Sequence, residues 1–114
     1  MSVLENLKEK ILASDSIVIL THENPDGDAV GSSLALWHAL KKIGKDSDVL
    51  IPSLNKMYGV LPGYEEIKSE IDSEKTYDLC IALDSSDIER LHVCKDIFQK
   101  AKNKIVIDHH ITNQ

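Results

Sequence analysis

The chain has little of several residue types, and each shortage excludes a class of protein. Its only two cysteines, Cys80 and Cys94, have no paired spacing, so we expect reduced thiols and no disulfide framework. Aromatic residues make up 4% of the 114 residues, which leaves no stacking platform for long single-stranded nucleic acid. Thirteen Lys and Arg stand against 19 Asp and Glu, and the formal charge of −6 excludes a basic nucleic-acid coat.

Apolar runs are short as well. The longest is far below the ~20 residues that a membrane span requires. The amino terminus is charged from Glu5 onward, unlike a signal peptide. We therefore expect a cytoplasmic protein that does not engage a membrane. With 42% apolar and 28% charged residues, the composition is globular, and the length suits a single domain with one core.

Hydrophobic periodicity predicts alternating helices and strands. Four segments carry apolar residues at helical spacing: Val3 to Ala13, Ala29 to Lys42, Glu65 to Glu74 and Glu89 to Lys102. Four short apolar runs predict buried strands: Ile17 to Leu20, Val49 to Ile51, Leu79 to Leu83 and Ile105 to Ile107. Gly44 stands where the second helix would end in a left-handed residue. This order indicates an α/β fold, a mostly parallel β-sheet with helices on both faces in three αβα layers.

Acidic residues and histidines follow three of the predicted strands. The three segments are His22 to Asp28, Asp84 to Asp87 and Asp108 to His110. Ligands of parallel sheets bind beyond the carboxyl ends of the strands, so these side chains are expected at one edge. Clustered carboxylates repel one another unless cations lie among them. Oxygen and imidazole ligands without thiolate suit manganese or magnesium better than a structural zinc ion.

The number of ligands permits two metal ions. In Asp26-Gly27-Asp28 the glycine lets the loop bend, so that each carboxylate can address a different ion. Two ions roughly 3.5–4 Å apart clamp the attacking and leaving oxygens of a phosphoryl group and lower the pKa of a bound water. Phosphoester hydrolysis is the chemistry that this arrangement favours.

Some of these residues also have simpler interpretations. Asp26 or Asp28, taken alone, could equally cap the helix that begins near Ala29. Asp87 is interpreted as a cap of the next helix, whereas Asp84 is favoured as a metal ligand. Elsewhere, three side chains within predicted helices are interpreted as packing or surface residues: Trp37, His38 and His92.

Taken together, the three segments resemble the first three motifs of the DHH phosphoesterases, in the same order and each after a strand. The branch most similar is that of the oligoribonucleases and 3′-phosphoadenosine-5′-phosphate (pAp) phosphatases, the nanoRNases. The resemblance implies a manganese-dependent hydrolase that acts on short oligoribonucleotides or on pAp. Cyclic-dinucleotide phosphodiesterases and inorganic pyrophosphatases of the same family are the alternatives.

The resemblance implies roles for seven residues, carried over by motif position. His22 and Asp26 would bind the first metal ion, Asp28 and His109 the second, and Asp84 would bridge both. His110 would face the scissile phosphate and Asp108 would orient its neighbours, which makes these two the candidate catalytic residues. Two Mn²⁺ ions are expected, with Mg²⁺ as the alternative, and a water held between the ions would be the nucleophile.

The resemblance also implies that residues 1–114 are the N-terminal portion of a DHH catalytic domain. A fourth motif, with an Asp that completes the second metal site, and a C-terminal substrate-binding domain are expected beyond Gln114. On its own the chain would then be weakly active or inactive, and the full-length protein could form a homodimer.

Two interpretations from other classes remain at this point. A receiver-like signalling module that binds magnesium explains the aspartates, but it has no use for His22, His109 or His110. It would also need a lysine at the end of a later strand. A catalytically silent fragment that binds one ion and acts only within an assembly is the other alternative.

Overall fold

The computed structural model describes residues 3–21, 27–51, 63–68, 75–83 and 94–107. Within these ranges the chain forms helix α1 (Val3–Ala13), strand β1 (Ile17–Thr21), helix α2 (Gly27–Lys42), strand β2 (Ser47–Leu50), a 3-10 turn (Tyr64–Glu66), strand β3 (Ile67–Lys68), strand β4 (Leu79–Leu83), helix α3 (Lys95–Lys100) and strand β5 (Asn103–Ile107). The predicted α/β fold is confirmed.

The described strands form one parallel sheet in the order β3-β2-β1-β4-β5. Strand β1 lies at its centre, and all five of its residues are buried, as are all five of β4. Both strands are runs of apolar residues because each of their faces is covered. The uninterrupted apolar sequence, rather than alternation, therefore marks the inner strands.

Side chains of alternate strand residues enter two separate apolar layers. On one face, Ile17 and Ile19 of β1 pack with residues of α2, among them Val30 and Leu34. On the other face, a second group packs around α3: Val18, Leu20, Leu50, Tyr77, Cys80, Ala82, Cys94, Ile97, Phe98 and Ala101. This arrangement confirms the expectation of helices on both faces of the sheet.

The two edge strands are less buried than the central ones. Strand β3 has two residues, and in β5 only Ile105 is even partly buried. Val106 is 45% exposed and Ile107 is 38% exposed. Strand β5 is therefore the open edge of the described sheet, immediately next to β4.

Helix α2 ends in the left-handed turn that the sequence predicted. Gly44 has φ +80°, its amide donates to Lys41 O at 3.0 Å, and the Lys45 amide donates to Leu40 O at 2.9 Å. This is a Schellman motif, which satisfies carbonyls that the helix leaves free. The Lys45 ammonium also donates to the carbonyls of Leu12 and Ser14, both at 2.9 Å, so it joins the ends of α1 and α2.

One predicted helix is wrong and another is too long. In place of the start of the helix predicted over Glu65 to Glu74 there is a single 3-10 turn followed by β3, because Ile67 pairs with Val49 of β2. Residues 69–74 lie outside the described residues. The helix predicted up to Lys102 ends at Lys100, since Ala101 is extended (φ −62°, ψ 143°) and leads into β5.

Three other boundaries differ by a few residues. Helix α2 begins at Gly27, two residues before the predicted Ala29. Strand β2 covers Ser47–Leu50, whereas the sequence predicted Val49 to Ile51, and β5 starts at Asn103 and not at Ile105. In both strands the extra residues are polar, so the hydrophobic pattern of the sequence does not reveal that their backbones pair.

Among the helices of the described ranges, none is long and apolar enough to span a membrane.

Candidate functional site

Three adjacent strands end side by side at the carboxyl edge of the sheet. Thr21 of β1 pairs with Leu83 of β4, and Leu83 pairs with Ile107 of β5. Neighbouring strands lie about 4.8 Å apart, so the two outer strand ends are separated by roughly 10 Å. The residues that follow these ends in the sequence are His22, Asp84 and Asp108. The fold thus delivers the three predicted segments to one short stretch of the edge, in register.

Helix α2 also starts at this edge, because it begins six residues after β1 ends and packs against β1, β2 and β4. The N-terminus of a helix presents free amides and the positive end of the helix dipole. Asp28 is the second residue of α2, so it is not the residue that flanks the helix start. The capping interpretation of Asp28 is therefore wrong, although an acidic residue in the first turn is favourable there.

Most predicted site residues lie outside the described ranges. These are His22, Asp26, Asp84, Asp108, His109 and His110, and of Asp28 the structure describes the helical backbone but not the side chain. Within the described residues, no group of three or more His, Cys, Asp or Glu side chains could hold a metal ion. The strand ends are brought together, while the ligand assignments stay predictions.

The interpretation of Trp37 and His38 as packing or surface residues agrees with their surroundings. Trp37 is half-buried and packs against the α2-side core, and the exposed His38 ring contacts it edge-on at 4.8 Å. Gly63, with φ +90°, lies against the same place, because a Cβ on it would be 3.2 Å from His38 Nε2. His92 lies outside the described residues.

The described polar network lies at the opposite, amino edge of the sheet and is structural. Asp48 accepts hydrogen bonds from Tyr77 Oη at 2.7 Å and from Lys75 Nζ at 3.1 Å, and Lys68 Nζ lies 3.0 Å from its other oxygen. Burial would raise the pKa of Asp48, but these three donors outweigh it and hold the pKa below its usual value. Because its oxygens are already engaged, Asp48 is unsuited to bind a metal ion.

Asp78 is a second carboxylate with a structural role at the amino edge. The amide of Asp15 donates to Asp78 Oδ2 at 2.9 Å, and the Asp78 amide donates to Ser16 Oγ at 2.9 Å. The hydrogen bond from Asp15, with help from the charge of Lys102, lowers the pKa of Asp78. These contacts fix the starts of β1 and β4 relative to each other, which also fixes how their carboxyl ends align.

The two thiols are buried, as predicted for Cys80. Cys80 is 0% and Cys94 is 2% exposed. Burial raises the pKa of the Cys80 thiol to about 12 and that of Cys94 to about 11. Both are therefore neutral core residues and neither is a nucleophile at physiological pH.

Sequence reasoning passed over one residue at the carboxyl edge. Thr21 is the last residue of β1 and is only 5% exposed, so it is a buried polar residue at the carboxyl end of that strand. The signal was present in the sequence, since Thr21 is the one polar residue in an otherwise aliphatic strand.

Comparison with known proteins agrees with this geometry. Residues 16–114 match the model of the DHH family, N-terminal domain. The chain is 35% identical over 98 residues to the bifunctional oligoribonuclease and PAP phosphatase NrnA of Thermus thermophilus, an alignment that covers 85% of this chain and 28% of that protein. It is 26% identical over 119 residues to the cyclic-di-AMP phosphodiesterase GdpP of Bacillus subtilis, covering 91% of this chain and 18% of the relative.

A solved structure shares the fold. The exopolyphosphatase-related protein from Bacteroides fragilis superposes with a TM-score of 0.85 at 29% identity, over 95% of this chain and 34% of that one. The chain thus spans about a third or less of the length of these relatives. Since the family match covers most of the chain, the receiver-like alternative is set aside. The chain belongs to the DHH family of phosphoesterases, and residues 16–114 correspond to the N-terminal domain of that family.

Proposed function

We propose that the chain forms the metal-binding part of a phosphoesterase site that hydrolyses phosphate esters of short oligoribonucleotides or of pAp. The observation that carries the proposal is the register of Thr21, Leu83 and Ile107 on three adjacent parallel strands. That register brings the strand ends that precede three segments rich in carboxylate and imidazole to one edge of the sheet, although the first and last segments start 86 residues apart, at His22 and Asp108.

The residues that follow these strands have the donor chemistry of a manganese pair. In the proposed arrangement His22 and Asp26 would hold one ion, Asp28 and His109 would hold the other, and Asp84 would be a ligand of both. Asp84 follows β4 in the sequence, and β4 lies between β1, which precedes His22, and β5, which precedes Asp108. Carboxylate and imidazole ligands suit Mn²⁺, and Mg²⁺ is the alternative.

When bound, such a pair supplies Lewis acidity towards the phosphoryl group and towards a water molecule. The chain's own residues supply the rest. His110 would donate a hydrogen bond or a proton to the scissile phosphate, and Asp108 would orient the neighbouring imidazoles by accepting from their N–H groups. Both residues follow β5, the strand next to β4, and Asp84 follows β4.

Two lines of support point to the substrate class. The relative from Thermus thermophilus is named as an oligoribonuclease and PAP phosphatase, and it shares 35% identity over 98 residues. The relatives named as cyclic-di-AMP phosphodiesterases share 26%, 22% and 24%. The higher identity favours linear nucleotides, with a cyclic dinucleotide as second candidate and pyrophosphate as third.

Further parts of the proposal concern sequence beyond this chain. The aligned segment covers 28% of the NrnA relative. We infer that a fourth motif and a C-terminal substrate-binding domain belong to the complete protein. We propose that the complete protein is cytoplasmic and that it could form a homodimer. Because we place the parts that select the substrate outside this chain, we expect the chain alone to be weakly active or inactive, with any hydrolysis directed to linear nucleotides.

The test is a hydrolysis panel at high protein concentration. A diribonucleotide, pAp, cyclic di-AMP and pyrophosphate are each incubated with the chain and Mn²⁺, or with the chain and EDTA. We expect Mn²⁺-dependent product from pAp and the diribonucleotide, lost in Asp84→Asn. Asp46→Asn is the matched control, because Asp46 is an exposed carboxylate at the amino edge. Product that survives EDTA or Asp84→Asn, or product from cyclic di-AMP or pyrophosphate alone, would contradict the proposal.

A further inference from the structure

Strand β5 leaves one edge of the sheet open, and apolar side chains lie along it. In the part of the chain that the structure describes, β5 pairs with β4 on its inner side and no strand pairs with its outer side. Val106 is 45% exposed and Ile107 is 38% exposed. An open edge presents a row of unpaired backbone N–H and C=O groups, which another extended strand can pair. The occupant that fits this edge is therefore a strand.

The opposite edge of the sheet is protected in a way that β5 is not. Strand β3 has only two residues, and its Lys68 forms an ion pair with Asp48 at 3.0 Å. Short length and charge are two devices by which proteins prevent pairing at an edge. Strand β5 has five residues, no proline and a single charged residue, Lys104. Its carboxyl half is therefore an unprotected edge.

Both apolar layers of the fold reach β5, which restricts the kind of strand that fits next to it. Val106 pairs with Ala82, a residue of the layer around α3. Ile107 pairs with Leu83 in the layer that packs against α2, and Ile105 packs against that layer too. Alternate residues of a strand point to opposite faces, so a strand that extends both layers needs apolar residues at consecutive positions. Strand β5 has this pattern itself, and a second copy of it supplies the complement.

We propose that the outer edge of β5 is a homodimer contact, at which β5 pairs antiparallel with β5 of a second copy. With the two-fold axis at Val106, this residue lies opposite its own copy, and Ile105 lies opposite Ile107 of the partner subunit. Each apolar residue of the carboxyl half then meets another apolar residue, and Lys104 does not face its own copy. The axis is perpendicular to the sheet, so each apolar layer continues into the same layer of the second copy.

Two properties of the dimer follow from this geometry. The carboxyl edges of the two sheets point in opposite directions, so neither copy covers the candidate site of the other. The contact is also small, since a stable interface uses about 20–30 residues from each side and β5 has five. We therefore expect weak association, with a dissociation constant on the order of 0.1 mM. The inference goes beyond the proposed function, because neither metal nor substrate takes part in it.

Sedimentation velocity over a range of chain concentrations, from about tenfold below to about tenfold above the expected dissociation constant, measures the association. Val106→Lys places two like charges opposite each other in the proposed pair, so it should weaken association at least about 10-fold. Ile43→Lys is the matched control, because Ile43 is 56% exposed in the turn after α2, away from β5. It should leave the dissociation constant unchanged.

A charge-swap experiment tests the register. Val106→Glu alone should also weaken association, whereas an equimolar mixture of Val106→Lys and Val106→Glu should associate again, because opposite charges then face each other across the axis. Hydrogen exchange provides a second measurement on the unmodified chain. The amides of β5 should become more protected as the chain concentration rises.

Several outcomes would overturn the proposal. These are an unmodified chain that stays monomeric over the whole range, a dissociation constant unaffected by Val106→Lys, and a mixture of the two Val106 variants that does not associate. Protection of the β5 amides at concentrations where the chain is monomeric would show that another segment of the same chain covers the edge, which also overturns it. If a Val106 variant does not fold, the exchange measurement decides, and protection independent of concentration refutes the dimer contact.

Discussion

Removal of one methyl group from the centre and from the edge of the sheet tests the strand order on which the site depends. Ile81 of β4 is 0% exposed, with Ile19 and Ile105 as its paired neighbours on either side. Ile107 of β5 is 38% exposed. Ile81→Val and Ile107→Val are the same chemical change, so any difference between the losses of stability that they cause reports the burial of the two side chains.

The magnitudes follow from these exposures. A buried methyl group contributes about 0.8 kcal/mol by transfer alone, and the cavity left at a closed site brings Ile81→Val to about 1.3 kcal/mol. At Ile107 about three-fifths of the burial applies and the open edge leaves no cavity, so we expect about 0.5 kcal/mol. For 114 residues the unfolding entropy is about 0.24 kcal/mol/K, which converts these values to Tm shifts of about 5 °C and 2 °C.

Urea denaturation followed by circular dichroism measures the free energy of unfolding of both variants, and thermal melting measures their Tm. The unfolding transition should move without a change in its slope against urea concentration. Equal losses of stability would refute the reasoning, because they would mean that Ile107 is as enclosed as Ile81. In that case β5 would not be the edge strand, and the alignment of the carboxyl ends of β1, β4 and β5 would be wrong.

Three further predictions concern the amino edge and the core. Tyr77→Phe removes a 2.7 Å hydrogen bond to Asp48, so it should destabilise the protein by about 1–2 kcal/mol at pH 7. Because the folded pKa of Asp48 is lowered, this difference is present above the unfolded value near 3.9 and should disappear as the pH falls through the folded value, as urea titrations at several pH values would show. Cys80 and Cys94 should resist a thiol reagent at pH 8 until urea unfolds the chain, and stability should decline above pH 9, because their folded pKa values are raised to about 12 and 11. Gly44→Ala should destabilise by about 1 kcal/mol in thermal melting, since φ is +80°, and an unchanged Tm would contradict the left-handed turn.

The inner part of the fold was predictable because it is encoded in local pattern. Strand β1 and strand β4 are short apolar runs, which favour buried strands, and α1 has bounds that match its periodicity. The edges were not predictable in the same way. Ile67 follows two glutamates and continues a helical pattern, yet its backbone pairs with Val49, and this distant pairing overrides local preference.

Of the candidate site, the alignment of the strands that lead to it could be predicted and checked, whereas its ligands stay predictions. The rule that ligands bind at carboxyl strand ends predicts that the segments starting at His22, Asp84 and Asp108 meet at one edge, and the register of the strands agrees. The burial of Thr21 was not predictable from composition, because a threonine in a strand is ordinary by propensity. Only the packed structure shows that this polar residue is 5% exposed.

Calorimetric titration of the chain with Mn²⁺ tests the central claim most directly, since it requires no substrate. The unmodified chain should bind two ions, and Asp84→Ala should abolish the binding of both because Asp84 is the proposed bridge. Asp87→Ala is the matched control, since Asp87 is interpreted as a helix cap and should leave both ions bound. A single ion that is insensitive to His109→Ala would contradict the two-ion site within this chain. Two ions retained by Asp84→Ala, or no Mn²⁺ bound by the unmodified chain, would contradict the account as a whole.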